Sequence, residues 1–494
     1  MLLSLGATAE AQKLIEYSSG IGSRDPENGQ IWILFRGVKA SHDGMTLRAD
    51  SAHYNTAENS FTAFRHVEIK LTDTTFIYGD RLYYDGNSRI LDIWADTVVL
   101  IDGSTRLKAN HLTYERDRAT GYYTEWGHAT DRDRTLDSRQ GQYNSSLKEF
   151  YIYNDVVLTD SSMRLVTDTL IYNTVTSIAF FDSPTYIYAD STMIYSEMGD
   201  YNTDTRLAIS YRASHVDNQG RIINSDTLFY DEERSFGKAY GHVVIVDTMN
   251  KVTCTGRYGE TSQIEGVSFV TDSALVVFVD DNNDTLYLHA DTVYVTNDSV
   301  RHLQSVRAFY HVKTYRHDAQ AMSDSAFYSA SDSTLWLYGH PVLWYDHYQC
   351  FADTLELQHD TSGIKRVYLR NGCFAIQQVD REKFNQLKGH QGIVYFLDGE
   401  PQYADVIGNA EMLFYLTEED SAGRSALLGV NAGMGTSIRI YFDTARAPVR
   451  VVTYDKPDMQ TYPVNGLPEE LKRLKNFQWL TARRPRTPAE VFKW

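Results

Sequence analysis

Polar and apolar residues alternate with a period of two along most of this chain. The run TDTLIY at 167–172 is typical. SDTLFY at 225–230, GDRLYY at 79–84, ADSAHY at 49–54, ANHLTY at 109–114 and SDSAFY at 323–328 restate it. A period of two belongs to a strand with one buried face, because successive side chains of an extended chain point to opposite sides. Within each run the second polar residue, the apolar residue and the closing tyrosine share a face: Asp168 with Leu170 and Tyr172, Asp226 with Leu228 and Tyr230, Asp80 with Leu82 and Tyr84. This face is expected to be the interior, with Leu112 and Tyr114 equivalent, and Thr169 and Phe229 outside.

A second phrase lies between copies of the first. It reads GHVVIVD at 241–247, RHVEIKL at 65–71, NDVVLTD at 154–160 and GHPVLWYD at 339–346. Its inward positions are Val243 and Ile245, Val67 and Ile69, and Val156 and Leu158. Polar turns such as NTAEN at 55–59, DGNS at 85–88 and DEER at 231–234 join the segments, as Asn, Asp and Gly favour tight reversals. Asp50, Asp80, Asn110, Arg139 and Asp168, each second in its phrase, are 30, 30, 29 and 29 residues apart. Asp226, Gly256, Asp291, Asp324 and Asp353 continue the series. About eleven copies of a period near 30 define a repeat array.

Each segment is long for one flat strand, so a small or turn-prone residue near its middle is expected to bend it from one sheet into a second. Gly127, Gly241 and Gly339 occupy such midpoints, as do the Asp residues of the first phrase. The predicted fold is all-β, an elongated antiparallel β-jellyroll or solenoid of two bent sheets. At about 4.8 Å per strand, eleven repeats of two strands would stack to a length on the order of 100 Å. The repeats span 13–360, and 361–462 continue them in degenerate form. Residues 463–494 form a tail in which PEELKRL, 468–474, predicts a short helix with proline at its first position. Arg483, Arg484 and Arg486 make the tail the one basic cluster.

The composition narrows the function. The chain has 494 residues, a formal charge of −18, 42% hydrophobic residues, 35 tyrosines and only 10 prolines, which suits a packed β protein. The acidic balance excludes nucleic acid as the expected partner, since phosphate binding needs a basic surface. No apolar run reaches the roughly 18–20 residues of a spanning helix. Residues 1–12, MLLSLGATAEAQ, read as the remainder of a secretory signal, with Ala9-Glu10-Ala11 as a small-x-small cleavage site. Cys254, Cys350 and Cys373 fit neither a disulfide framework nor a zinc site.

Two chemical readings are weak. Paired carboxylates could act in polysaccharide cleavage, but Glu232-Glu233 and Asp280, Asp281 and Asp284 sit in apparent turns. Asp280 to Asp284 also offers oxygen ligands for calcium, yet it lacks an EF-hand or nonapeptide pattern and reads as a hairpin turn. His128, His242 and His340 recur too far apart to share an ion and are expected to be cross-strand polar neighbours. No catalytic residue, metal or cofactor is assigned.

The Asp-x-apolar-x-Tyr phrase, alternating with Gly-x-Val-x-apolar behind an export signal, resembles the OstA/LptA-like family of lipopolysaccharide transport. In its length it resembles the long OstA-like proteins of Bacteroidetes-type bacteria, a family that also includes the periplasmic domain of LptD. The resemblance runs through roughly residues 30–360 and more loosely to 455. It implies a V-shaped jellyroll in a periplasmic bridge associated with the outer membrane, whose apolar interior shelters the acyl chains of lipid A. On that basis Val67, Ile69, Leu82, Tyr84, Leu112 and Tyr114 become lipid-path positions. Val156, Leu158, Leu170, Tyr172, Leu228, Tyr230, Val243 and Ile245 continue the path. The implied partners are lipopolysaccharide and further jellyroll proteins joined end to end by strand addition. The strands near 31–38 and 449–454 are the expected edges. A scaffold whose interior is only a dry core is the alternative. The chain exceeds a lone bridge subunit in length and has too few C-terminal residues for a large membrane barrel.

Overall fold

The computed structural model describes residues 13–280, 283–360, 363–419 and 425–493. The expected export signal at 1–12 lies outside the described residues, as do Asp281 and Asn282. Strands dominate, and every strand pairing among the described residues is antiparallel, from Glu16–Ser18 to Asp458–Tyr462. The chain divides into two compact units, one of residues up to 219 with 227–233, the other of 220–226 with 234–494.

In the first unit each long strand bends once, and its halves join two facing layers. Halves such as 51–55, 60–64 and 81–85 pair into a first layer; 46–48, 67–70 and 76–78 pair into a second. The register slips at every bend, between Phe64 and Val67 and again between Tyr153 and Val156. Glycine is not the general device. In two of the strands the bend is a pair of consecutive left-handed residues: Arg65 and His66 at φ 61 and 47, Asn154 and Asp155 at φ 63 and 54. Such a pair reverses the pleat within two residues and is costly for ordinary side chains, so the surrounding ladders must enforce it. Gly241 does meet its expectation: its φ is 74, and a Cβ there would lie 2.1 Å from Asp226 Oδ2.

The bends also correct the facing of Asp80, Asp168 and Asp226, all expected inward and all exposed. Asp168 was expected on the face of Leu170 and Tyr172, but it is exposed while Thr167 is buried. The slip at the bend inverts the parity between Thr167 and Leu170. Asp50 and Asp226 likewise stand outside at their bends, where His66 Nδ1 and His242 Nδ1 lie 2.8 and 2.9 Å from their carboxylates. His128 faces Asp137 across a strand pair at 2.7 Å, and His340 lies 3.5 Å from Asp353. The recurring histidines are thus cross-strand neighbours of aspartate.

The second unit repeats the plan and then lengthens it, to Glu400–Glu419 and Ser425–Phe442. Its last strands, Pro448–Tyr454 and Asp458–Tyr462, pair with separate halves of Ser425–Phe442 and form an edge, as expected near 449–454. The other expected edge is corrected. Strand Ile31–His42 is already covered by Glu16–Ser18 and Ile21–Arg24, two runs too short to show the phrase. In the tail, the expected helix is one 3-10 turn, Glu469–Leu471, with Pro468 as its cap. From there residues 467–493 run back as a strap over the second layer of this unit. Leu467 packs with Leu413, Tyr415 and Val430, and Phe477 and Trp479 with Phe374, Ile376 and Phe384. Leu480 packs with Met322 and Trp344, and Phe492 with His289.

Candidate functional site

The interior is the place where a ligand of this fold could lie, and it differs along the chain. In the first unit it is filled. Val67, Ile69, Leu82 and Tyr84 expose 1% or less, and Leu112, Tyr114, Val156 and Leu158 no more than 3%. Leu170, Tyr172, Leu228 and Tyr230 are equally buried, as are Val243 and Ile245 in the second unit. They are brought together as cross-strand partners: Ile69 opposes Ile77, Leu82 opposes Ile93, Leu158 opposes Leu165, and Leu170 opposes Ile152. Burying each such side chain contributes about 1.5–3 kcal/mol.

The closing tyrosine of the phrase has a second task. Its ring is the last inward residue before a turn, so its hydroxyl reaches the row of turns where the layers end. There it meets polar groups of its own row or of the opposite one. Arg116 donates to the Tyr84 hydroxyl at 2.8 Å, Arg134 to that of Tyr172 at 3.0 Å, and Asn218 to that of Tyr230 at 3.0 Å. Tyr143 donates to Asp102 at 2.8 Å, and Lys148 pairs with the same carboxylate. Arg89 pairs with Asp43, Arg134 with Asp204, and Arg206 with Asp160 at 3.4 Å. Every rung or two, one such clasp closes the mouth of the first unit. Burial raises the phenol of Tyr123, which shares a 2.6 Å bond with Ser138, to about 12. Glu232, one of the acids weighed for catalysis, lies in this polar rim beside Tyr201 and Arg206. Burial pushes its carboxyl up to about 7.

In the second unit the interior opens. An apolar cleft of about 100 Å³ lies between the layers, walled by Leu343, Cys350, Ala375, Leu387 and Met412 from the second layer. Val367, Val394, Ala404 and Ile440 face them from the first. Phe396, Phe414, Phe442, Pro401 and Pro448 form its rim with Tyr345 and Tyr348. The hydroxyls of Tyr345 and Tyr348 donate to Gly399 O at 3.0 Å and Arg446 O at 2.7 Å, which ties the two layers together at one end. Arg446 in turn makes a bidentate pair with Glu400 at 2.7 and 2.9 Å. Burial pushes the Cys350 and Cys373 thiols up to about 12, so both stay protonated and apolar.

None of the cleft residues was singled out from the sequence. Small inward side chains such as Ala375 and Ala404 line the cleft, but the first unit buries Ala52, Ala63 and Ala179 in the same way, so size alone gave no signal. Of the turn weighed for calcium, Asp281 and Asn282 lie outside the described residues, and the described ends pair with each other. Asp280 and Asp284 bond through backbone groups at 3.0 Å, and Asp280 Oδ1 accepts from Asp284 N at 2.8 Å. Among the described residues no His, Cys, Asp and Glu group could hold a metal ion, and no helix is long and apolar enough to cross a membrane.

The family model described as OstA-like protein matches residues 14–168 and 151–226. No curated protein matches the chain. Among solved structures it is similar to LptH, the LptA-homologous periplasmic component of the lipopolysaccharide transport device of Pseudomonas aeruginosa. The match has 16% identity, covers 29% of this chain and 95% of that one, and has a TM-score of 0.22. The repeat phrase and its antiparallel bent strands agree with the family match: over residues 14–226 the chain is similar to the OstA-like family.

Proposed function

We propose that the chain is a non-enzymatic bridge protein of lipopolysaccharide transport, working in the periplasm and sheltering lipid A acyl chains between its layers. The observation that carries this reading is the apolar cleft walled by Leu387, Met412, Val394 and Ala404, in a chain with OstA-like repeats. Each methylene moved from water into such a cleft contributes about 0.8 kcal/mol. A cleft without charged groups binds acyl chains without fixing their register, which suits passage rather than storage. Within the first unit, the inward positions from Val67 to Tyr230 are further lipid-path positions, opened when the clasps part, and Val243 and Ile245 are such positions in the second unit. Further jellyroll proteins join at the edge strands Pro448–Tyr454 and Asp458–Tyr462, whose outward backbone groups can pair with another strand.

Photo-crosslinkers at Leu387, Met412, Leu170, Tyr172 and Leu228, with Thr169 and Phe229 as outward controls, test the reading in cells making lipopolysaccharide. Lipid A species joined at inward sites and not at the controls are expected. A lipid-free protein with no inward crosslinks would instead favour a scaffold with a dry interior, the reading to which the close packing of the first unit lends weight.

A further inference from the structure

The cleft and the strap lie on opposite faces of the same strands. Following one ladder row through the second layer, Gln320 opposes Trp344, Trp344 opposes Gln349, Gln349 opposes Ile376, Ile376 opposes Gln386, and Gln386 opposes Leu413. The neighbouring row is Ala321, Leu343, Cys350, Ala375, Leu387 and Met412. Adjacent rows point to opposite faces of a sheet. From Leu343 to Met412 the second row walls the cleft. The first row meets the strap.

Three buried glutamines in that first row hold the strap by its backbone or by an arginine. Gln386 donates to Lys472 O at 2.9 Å and accepts from Leu474 N at 2.8 Å. Gln349 does the same with Gln478 O and Leu480 N, both at 2.7 Å. Each amide thus replaces a neighbouring strand for one residue pair. Gln320 accepts from Arg484 Nε at 2.6 Å, so one arginine of the basic cluster is spent inside the fold. Ile376 and Gln386 touch both features: they bound the cleft and pack against or clamp the strap.

A sheet layer must bury at least one face. In the first unit the second layer does so by closing on the first. Around the cleft it does so outward, beneath Phe477, Trp479 and Leu480. We infer that the segment 467–493 is a brace that keeps the cleft open. By covering the outer face it lets the inner face stand apart from the opposing layer, so that an acyl chain can occupy the space. It is not a plug, since its side chains meet the row that faces away from the cleft. The inference rests on the lipid reading above and names the element that makes the site available.

The test uses the full chain and a fluorescent polyene fatty acid as probe. Phe477→Ala/Trp479→Ala changes only the strap and no residue of the cleft wall. Amide exchange at Leu474 and Leu480, the two donors to Gln349 and Gln386, should speed at least tenfold. Probe affinity should fall at least fivefold, while exchange in residues 60–172 stays unchanged. Faster exchange with unchanged affinity would overturn the brace and leave the strap a passive cover. No probe binding by the unaltered chain would instead overturn the lipid reading and the brace with it. If the double variant does not fold, Gln349→Leu removes one clamp outside the cleft wall and carries the same two expectations.

Discussion

Leu170 and Leu387 occupy comparable inward positions on comparable bent strands, yet their surroundings differ. Leu170 opposes Ile152 in a filled interior and exposes 2%. Leu387 opposes Ala375 and Met412 and walls a cleft. The strand plan is the same in both places. What differs is the size of the inward side chains and what covers the far face of the layer. Around Leu170 the mouth is clasped by Arg134 with Tyr172, and the outer face stays open to water. Around Leu387 the outer face lies under the strap. One repeat can therefore build a core or a cavity, depending on which side supplies its packing.

The comparison is broken most directly by truncation. Leu170→Ala should cost about 2–5 kcal/mol in urea unfolding, the range for a large-to-small change in a rigid core. Phe414→Ala, on the cleft rim, removes a larger side chain but should cost under about 2 kcal/mol, because that side already faces space. Equal losses would mean that the cleft is packed like the core.

The clasps come next. Asp102 has no exposed side-chain surface and is held by Tyr143 and Lys148. Lys148→Met leaves that carboxylate without its cation and should cost about 1–3 kcal/mol, reduced from a fully buried pair because Lys148 is 36% exposed. The same unfolding measurement on the surface pair, Lys70→Met facing Asp73, should give under about 0.5 kcal/mol.

A smaller effect depends on pH. The Glu232 carboxyl is raised from 4.5 to about 7 by burial, so the folded chain binds its proton more tightly than the unfolded chain. Its contribution is full below about 4.5 and is lost as pH rises through about 7. Tyr201, Arg206, Asp160 and Asp190 face it and remain in the variant. Glu232→Gln should therefore gain on the parent by about 1–2 kcal/mol between pH 5 and pH 8, read as the pH-dependent difference in their unfolding midpoints. A parallel pH profile for the two proteins would remove Glu232 from the account.

Much of the fold was legible because the repeat states it many times. Period two gave strands, the 29–30-residue interval gave the rungs, and Leu170, Tyr172 and their counterparts are inward as read. The bends were legible in place and not in kind. Arg65-His66 and Asn154-Asp155 adopt left-handed backbone because the ladders on both sides require it, and although Asn and Asp tolerate it better than most residues, Arg65 gives no local sign of it. Asp168 was placed on the wrong face for the same reason, since a slip of register inverts every parity beyond it. The cleft was missed because a cavity is written as small residues, and Ala375 or Ala404 looks like any alanine in a strand. The strap was missed because its partners are buried glutamines, residues that composition assigns to the surface.

The tyrosines that close each phrase bear on how the interior could be entered. The hydroxyls of Tyr84, Tyr172 and Tyr230 each fasten their own part of the mouth to a neighbour, Arg116, Arg134 and Asn218 in turn. The fastening works like the teeth of a zip: parting one rung leaves the next engaged. The free energy needed to admit a guest is then set by the few teeth around it and does not grow with the number of repeats.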